Sequence, residues 1–578
     1  MNLSRFFEHW GIVENPFRGE EARQDPVFMR LGQTGGGMGA GTVARVSDGD
    51  NEGGAAMGGT AIGGGVAGAG ADVSGVLPRT THSDFEKIAG DFDRPSTAIV
   101  FGEKGSGKTA IRMQLGQRIA AYNAQHPDAK CLLIEYDELN PVLDRFYERM
   151  SGDRKSTLPD VLKKFRLVDH IDAILGVVVP RIVDGLVREG AGGASAGDGR
   201  QGAGGAAAVK SESAGLEIGV EARKAMRRLD VGLRRDLLLL QVVYDEADRA
   251  EERSRRLRRR LRLPLSKWVI AWDLLAFVGW APAVAMLVWG QTEILEWKLT
   301  VGGYLLLGLL GLWLLVLLKR FAWDRLDWLR LGHKLRRQLR VSARGDRSYA
   351  GSLKQFDAVL RDHTALPVTD SDEQRYAMIE RLRRVLRPLG YASLIVVIDR
   401  VDEPTLISGD PDRMRAFIWP MLNNKFLQQP GLGIKMLLPI ELRHALFRES
   451  AAFFQEARLD KQNLIEKLSW TGAMLYDLCN ARLQACANLA MHPTEPGKPV
   501  TLLELFAEDV TRQDLVEALD QMHQPRDAFK LLYQCLTEHC SNVTEDQAQW
   551  RIPRLILETV KKGQAERVRQ LYRGVRPA

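Results

Sequence analysis

Leu299 to Leu318 runs without one charged residue, and no other stretch limits so strongly what this chain can fold into. A segment that is apolar on every face has none to turn toward water, so it sits in a large core or in lipid. Its length as a helix matches the ~30 Å of hydrocarbon in a bilayer. A second run, Trp268 to Trp289, is apolar apart from Asp273 and carries Pro282, which predicts a kink. Trp268, Trp289 and Trp297 stand at the edges, where the headgroup interface favours tryptophan. These features predict a transmembrane helical hairpin over 268–318. Asp273 lies near the first edge and is expected to snorkel to the interface.

The flanks orient that hairpin. Arginines crowd before Trp268, from Arg253 to Arg262, and basic residues follow Leu318 from Lys319 to Arg340. The turn, Gly290 to Lys298, carries Glu293, Glu296 and a single lysine. The positive-inside rule therefore predicts a two-pass membrane protein with both long arms cytoplasmic and a short turn outside. The basic flanks would also be drawn to anionic lipid headgroups.

Well before the hairpin stands Gly102-Glu103-Lys104-Gly105-Ser106-Gly107-Lys108-Thr109. The apolar run Thr97 to Phe101 precedes it, and Ala110 to Ala121 follows with Ile111, Leu115 and Ile119 at helical spacing. This is the G-x-x-x-x-G-K-[ST] phosphate loop between a strand and a helix. Glycines let the backbone curl so that successive N–H groups through Ala110 face phosphate oxygens, and the helix N-terminus adds partial positive charge. Lys108 is expected to reach the β- and γ-phosphates of ATP, and the Thr109 hydroxyl to hold Mg²⁺. Far along the chain, Leu394 to Ile398 forms a branched apolar run ending in Asp399-Arg400-Val401-Asp402-Glu403-Pro404. A buried strand with a carboxylate at its C-terminal tip places Asp399 where parallel α/β sheets bind ligands, as a second Mg²⁺ group.

The remaining chain divides around these motifs. Residues 1–31 form an N-terminal element, and 32–78 is a Gly-rich insertion too poor in apolar side chains to offset chain entropy. Residues 83–150 hold the first part of an ATPase core, with Cys131 to Tyr136 as a second strand. Residues 151–262 are a helical insertion containing a Gly/Ala-rich linker at 190–208 and a basic juxtamembrane helix. After the hairpin, 319–369 is a basic helix and connector, 370–450 the second part of the core with a strand at Gly433 to Ile440, and 451–578 an all-helical lid. The fold class expected is thus α/β, a P-loop parallel sheet with the hairpin inserted between phosphate loop and aspartate strand. The five cysteines include no C-x-x-C, which points to reduced thiols and not to zinc. His9, His82 and His170 are isolated, and Trp470-Thr471 reads as packing and helix capping. Tyr136-Asp137-Glu138 ends a strand beside the phosphate loop and takes no assigned role. The net charge of +7 raises a nucleic-acid-stimulated ATPase, but no aromatic-interleaved basic patch or groove-binding motif favours it.

A phosphate loop, then one strand, then membrane helices before the aspartate strand resembles the KAP group of P-loop NTPases. Asp399-Arg400-Val401-Asp402-Glu403 is similar to the D-x-h-D-E form of STAND ATPases, and both groups belong to the additional-strand class that includes AAA+ proteins. Ile12 to Phe17 resembles an element that lies near the adenine in secretion-type AAA+ ATPases, which brings in Asn15. Pro525-Arg526-Asp527 resembles the lid arginine motif, implying that Arg526 senses the γ-phosphate. Where such ATPases often carry Glu after the Mg²⁺ aspartate, this chain has Arg400, so Asp402 or Glu403 would have to serve as the base. A capped turn before Pro404 is the other reading of those two carboxylates. Arg443 and Arg448 are arginine-finger candidates that a solvated helix face explains equally well. The phosphate loop, aspartate strand and hairpin together predict a membrane-anchored ATPase whose lid closes on ATP and drives self-association or engages a partner protein. The resemblance implies a bacterial inner (cytoplasmic) membrane and a part in phage defence or stress response. A non-hydrolysing ATP-gated scaffold is the alternative.

Overall fold

Four apolar runs and one short segment pair into a five-stranded parallel sheet. The strands are β1 (Ala98–Gly102), β2 (Lys130–Tyr136), β3 (Tyr391–Ile398), β4 (Leu432–Pro439) and β5 (Asn463–Ile465), in the order β2-β3-β4-β1-β5. Burial on both faces explains why the long strands read as continuous Val/Ile/Leu runs. The C-terminal ends of β1 and β3 lie along one edge of the sheet with β4 between them. The structure is a computed structural model. It describes residues 1–18, 22–34, 81–152, 157–187, 226, 229–246, 249–263, 267–289, 299–356, 366–488, 493, 499–544 and 547–572. Most of the two Gly-rich segments, expected at 32–78 and 190–208, lies outside these residues, as does the turn of the apolar hairpin. The helix Pro26–Thr34 runs into the start of the first.

The chain divides into two compact units: Met1–Glu86, Gly102–Gln117 and Lys467–Ala578 form one, Lys87–Phe101 and Arg118–Glu466 the other. The second holds the sheet and the insertions. Its helix Leu167–Val187 buries Asp169 and Asp172 among apolar side chains. Arg340 pairs with Asp169 at 2.6 Å, and Arg375 with Asp172 at 3.3 Å. Tyr244 donates to Asp172 at 3.0 Å. Burial outweighs these cations and pushes the Asp169 carboxyl up to about 7 and that of Asp172 up to about 6.

Among the described residues one helical stretch, Tyr304–Gln338, is long and apolar enough to cross a membrane, and only 6% of its apolar window is buried. It comprises the helix ending at Leu317, a π-turn over Leu318–Trp323, and the helix Asp324–Gln338. The first apolar run does not match it. It is split into Lys267–Val278 and Ala281–Trp289, so the expected pair of full-length helices is not formed among the described residues. The cause is Pro282, whose ring excludes the carbonyl four residues earlier, that of Val278, where the first piece stops. A break therefore replaces the expected kink. Trp313 donates to the Ala276 carbonyl at 3.0 Å, which holds the two runs side by side. Asp273 pairs with Arg320, a partner beyond the expected snorkelling.

In the other unit, the helices Gly472–Cys486, Arg512–Asp520, Pro525–Asn542 and Arg554–Tyr572 share a core with the N-terminal segment, through Phe6, Trp10 and Phe17. Ile12 bridges Ala487, and Val13 N–H donates to the Cys486 carbonyl at 2.9 Å. Thr471 caps Gly472–Cys486 by accepting from Met474 N–H, as expected. The stretch from 451 was expected to be wholly helical, but it contains β5. Three residues are too few for strand alternation to register.

Candidate functional site

The phosphate loop forms as a strand–loop–helix. β1 ends at Gly102, the helix Lys108–Gln125 begins at Lys108, and Ser106 N–H closes a turn on the Glu103 carbonyl at 3.2 Å. Gly105 and Gly107 have φ of +99° and +94°, open to glycine and strained for any L side chain. The Lys108 ammonium donates to the carbonyls of Gly102 at 2.7 Å and Glu103 at 3.0 Å, folding its stem back over the loop. The Ser106 hydroxyl is buried and has no hydrogen-bond partner among the described residues. Curled backbone, folded lysine and buried hydroxyl together fit an anion rich in acceptor oxygens.

The same unit brings distant residues onto this loop. A Cβ on Gly105 would stand 2.9 Å from Gln524 Oε1 and 3.1 Å from the Arg526 Cβ, so the start of the helix Pro525–Asn542 lies directly against it. Arg526 is thus beside the loop, as the resemblance implies. Gln524, at the N-cap, makes no side-chain cap bond and reaches Glu103 instead, whose other oxygen takes Lys467 at 2.9 Å. In the same first turn Asp527 is buried, and burial raises its carboxyl against the pull of Lys530, Arg567 and Arg526. Two helix N-termini and Arg526 therefore bring positive potential to one loop.

Trp470 approaches from another helix start. Its indole N–H donates to the Ser106 carbonyl at 2.9 Å, and its ring lies 3.7 Å from where a Gly107 Cβ would be. His82 stands edge-on to that indole, with ring centroids 4.9 Å apart. Asp84 N–H donates to His82 Nδ1 at 3.1 Å, so Nε2 carries the proton and donates to the Ser469 carbonyl at 2.9 Å. Burial holds His82 below the usual histidine range despite nearby Asp84. Neither residue was singled out from sequence beyond packing, and Gln524 and Lys467 were missed, because no motif marks them.

Asn15 does not join this group through its side chain, whose oxygen accepts from Phe17 N–H at 2.9 Å in a local turn. Asp399, Asp402 and Glu403 belong to the other unit. Asp399 is buried at the tip of β3 and accepts from Arg400 N–H at 3.0 Å. Arg400 takes a left-handed φ of +60° and pairs with Glu403 at 3.4 Å. Glu403 N–H returns to the Arg400 carbonyl and Gly409 N–H to that of Asp402, forming a local turn. Arg443 pairs with Glu466 at 2.8 Å. Among the described residues no three His, Cys, Asp or Glu side chains gather into a metal cluster. A cleft of about 950 Å³ lies at the N-terminal edge of the sheet, lined by Arg94, Arg383 and Tyr391 and away from the strand tips. No known family, curated protein or solved structure matches this chain.

Proposed function

We propose that this chain is a membrane-anchored ATPase in which ATP closes helices of the Lys467–Ala578 segment on the phosphate loop, as a conformational switch. The observation that carries the reading is the phosphate loop itself, with Lys108 folded over it and Arg526 against Gly105. Lys108 and the loop N–H groups bind the phosphates, and Arg526 reads the γ-phosphate. Thr109 and Asp399 are the groups suited to Mg²⁺, which supplies charge neutralisation to the transferring phosphoryl group when bound. The sheet order supports the KAP- or STAND-like assignment, because β4 separates β1 from β3 as an additional strand would. Exposure of Leu307, Leu312, Leu314 and Phe277 supports the hairpin as the anchor, both runs crossing with a short turn outside. Closure would then engage a second copy or a partner protein. Purified protein should bind ATP and release phosphate, and Lys108→Ala should abolish both. Unchanged binding and turnover in that variant would sink the proposal.

The Arg400–Glu403 pair favours a slow version of this switch. Glu403 is held by a cation and half exposed, a poor arrangement for activating water. ATP binding with no phosphate release above that of the Asp399→Ala variant would place the chain with ATP-gated scaffolds, and release unaffected by Glu403→Gln would remove Glu403 as the base.

A further inference from the structure

Trp470 does more than fill space. A peptide unit is planar and trans, so the carbonyl of one residue and the N–H of the next point in opposite directions. The Trp470 indole N–H holds the Ser106 carbonyl at 2.9 Å, on the side of the helix Gly472–Cys486. That bond directs the Gly107 N–H to the opposite side. Gly107 sits at φ +94°, where its peptide groups would otherwise have wide freedom to rotate. The indole is itself held in place. His82 is 3% exposed, is neutral, and is tied by Asp84 N–H on one nitrogen and the Ser469 carbonyl on the other. Its ring meets the indole edge at an interplanar angle of 82°. Segments from both ends of the chain thereby determine the direction of one loop donor.

We propose that Trp470 is a positioning residue of the phosphate loop, aiming the Gly107 N–H at the phosphates of a bound nucleoside triphosphate, with His82 fixing the indole. The proposal rests on the ATP-binding reading above. It predicts that loss of the indole N–H weakens phosphate recognition alone.

The test is isothermal titration of the full chain in lipid nanodiscs with ATP and, separately, adenosine. Trp470→Phe keeps an aromatic ring and removes the donor. It should weaken ATP about ten-fold, the size of one well-placed hydrogen bond, and leave adenosine affinity unchanged and the chain folded. His82→Ala should weaken ATP in the same sense by a smaller factor, about three-fold, and carries the test if Trp470→Phe does not fold. ATP affinity equal to wild type in both variants overturns the proposal. So does an equal loss for ATP and adenosine, which marks a structural role. A wild-type chain that binds no ATP removes the underlying reading and this inference with it, whereas wild-type binding with unaffected variants removes the inference alone.

Discussion

The phosphate loop and the aspartate loop both follow buried strands, yet they are held in different ways. The loop at Gly102–Thr109 is fastened by partners remote in sequence: Trp470 on Ser106, Gln524 and Lys467 on Glu103, and Arg526 against Gly105. The loop after Asp399 includes fastenings of its own, Arg400–Glu403 and the turn that Gly409 closes on Asp402, beside a remote one from Thr405 N–H to Asn140 Oδ1 at 2.9 Å. A loop held by remote segments changes when those segments move, so it suits a switch. A loop held by its own residues keeps its shape and suits a fixed ligand group. The interiors behind them differ too. Around the phosphate loop the buried contacts include a neutral histidine and an indole, with the single carboxylate of Asp527 beside Arg526. In the other unit the buried polar groups include two carboxylates facing two arginines.

The largest expected effect separates binding from chemistry. Lys108→Ala should cost ~100-fold or more in ATP affinity, measured by titration, since it removes a charge-assisted phosphate contact. Asp399→Asn should leave ATP affinity within a few-fold and reduce Mg²⁺-dependent phosphate release by ~100-fold. If instead Asp399→Asn loosened nucleotide as much as Lys108→Ala did, the distinction between a switching loop and a fixed ligand loop would collapse.

The contrast also explains what the sequence could disclose. The phosphate loop and the four longer strands were legible because glycine spacing and unbroken apolar runs are local signals. β5 was not, because three residues carry no period. Nor were Trp470, Gln524 and Lys467, since their function depends on contacts with residues more than three hundred positions away. The apolar insertion was legible as a class but not in form. Pro282 predicted distortion, and only the backbone shows that the helix ends at Val278. Asp402 and Glu403 read from sequence as catalytic carboxylates or as a turn, and the backbone forms a turn there, with Glu403 N–H on the Arg400 carbonyl and Gly409 N–H on that of Asp402.

A smaller effect comes from pH. Asp169 and Asp172 titrate near 7 and 6 in the folded chain, above the 3.8 of an exposed aspartate. Between those values the folded state holds protons that the unfolded chain has lost, so their contribution favours folding below about pH 4 and is lost as pH rises to about 7. His170, held down to about 3 by burial, acts in the opposite sense over its own range. Comparing denaturant midpoints of wild type and Asp169→Asn from pH 4 to 8 cancels that common term. The wild type should lose stability more steeply than the variant as pH rises. Parallel curves would show that the Arg340–Asp169 pair stays ionised throughout.

The smallest effect tests the aspartate loop from within. Arg400 occupies a left-handed conformation that costs an L residue ~1 kcal/mol, and glycine would remove that cost. Its pair with Glu403 gives little back, because the carboxylate is 52% exposed and such pairs contribute ~0–1 kcal/mol. Arg400→Gly should therefore leave the melting temperature within a few degrees of wild type. It should also remove the Arg400 cation from Glu403 and raise phosphate turnover two- to five-fold, about 0.4 to 1 kcal/mol in the barrier. A marked fall in stability would mean that the Arg400 side chain, more than the backbone turn, shapes the loop. Turnover that rises while stability holds would identify Arg400 as the residue that keeps hydrolysis slow.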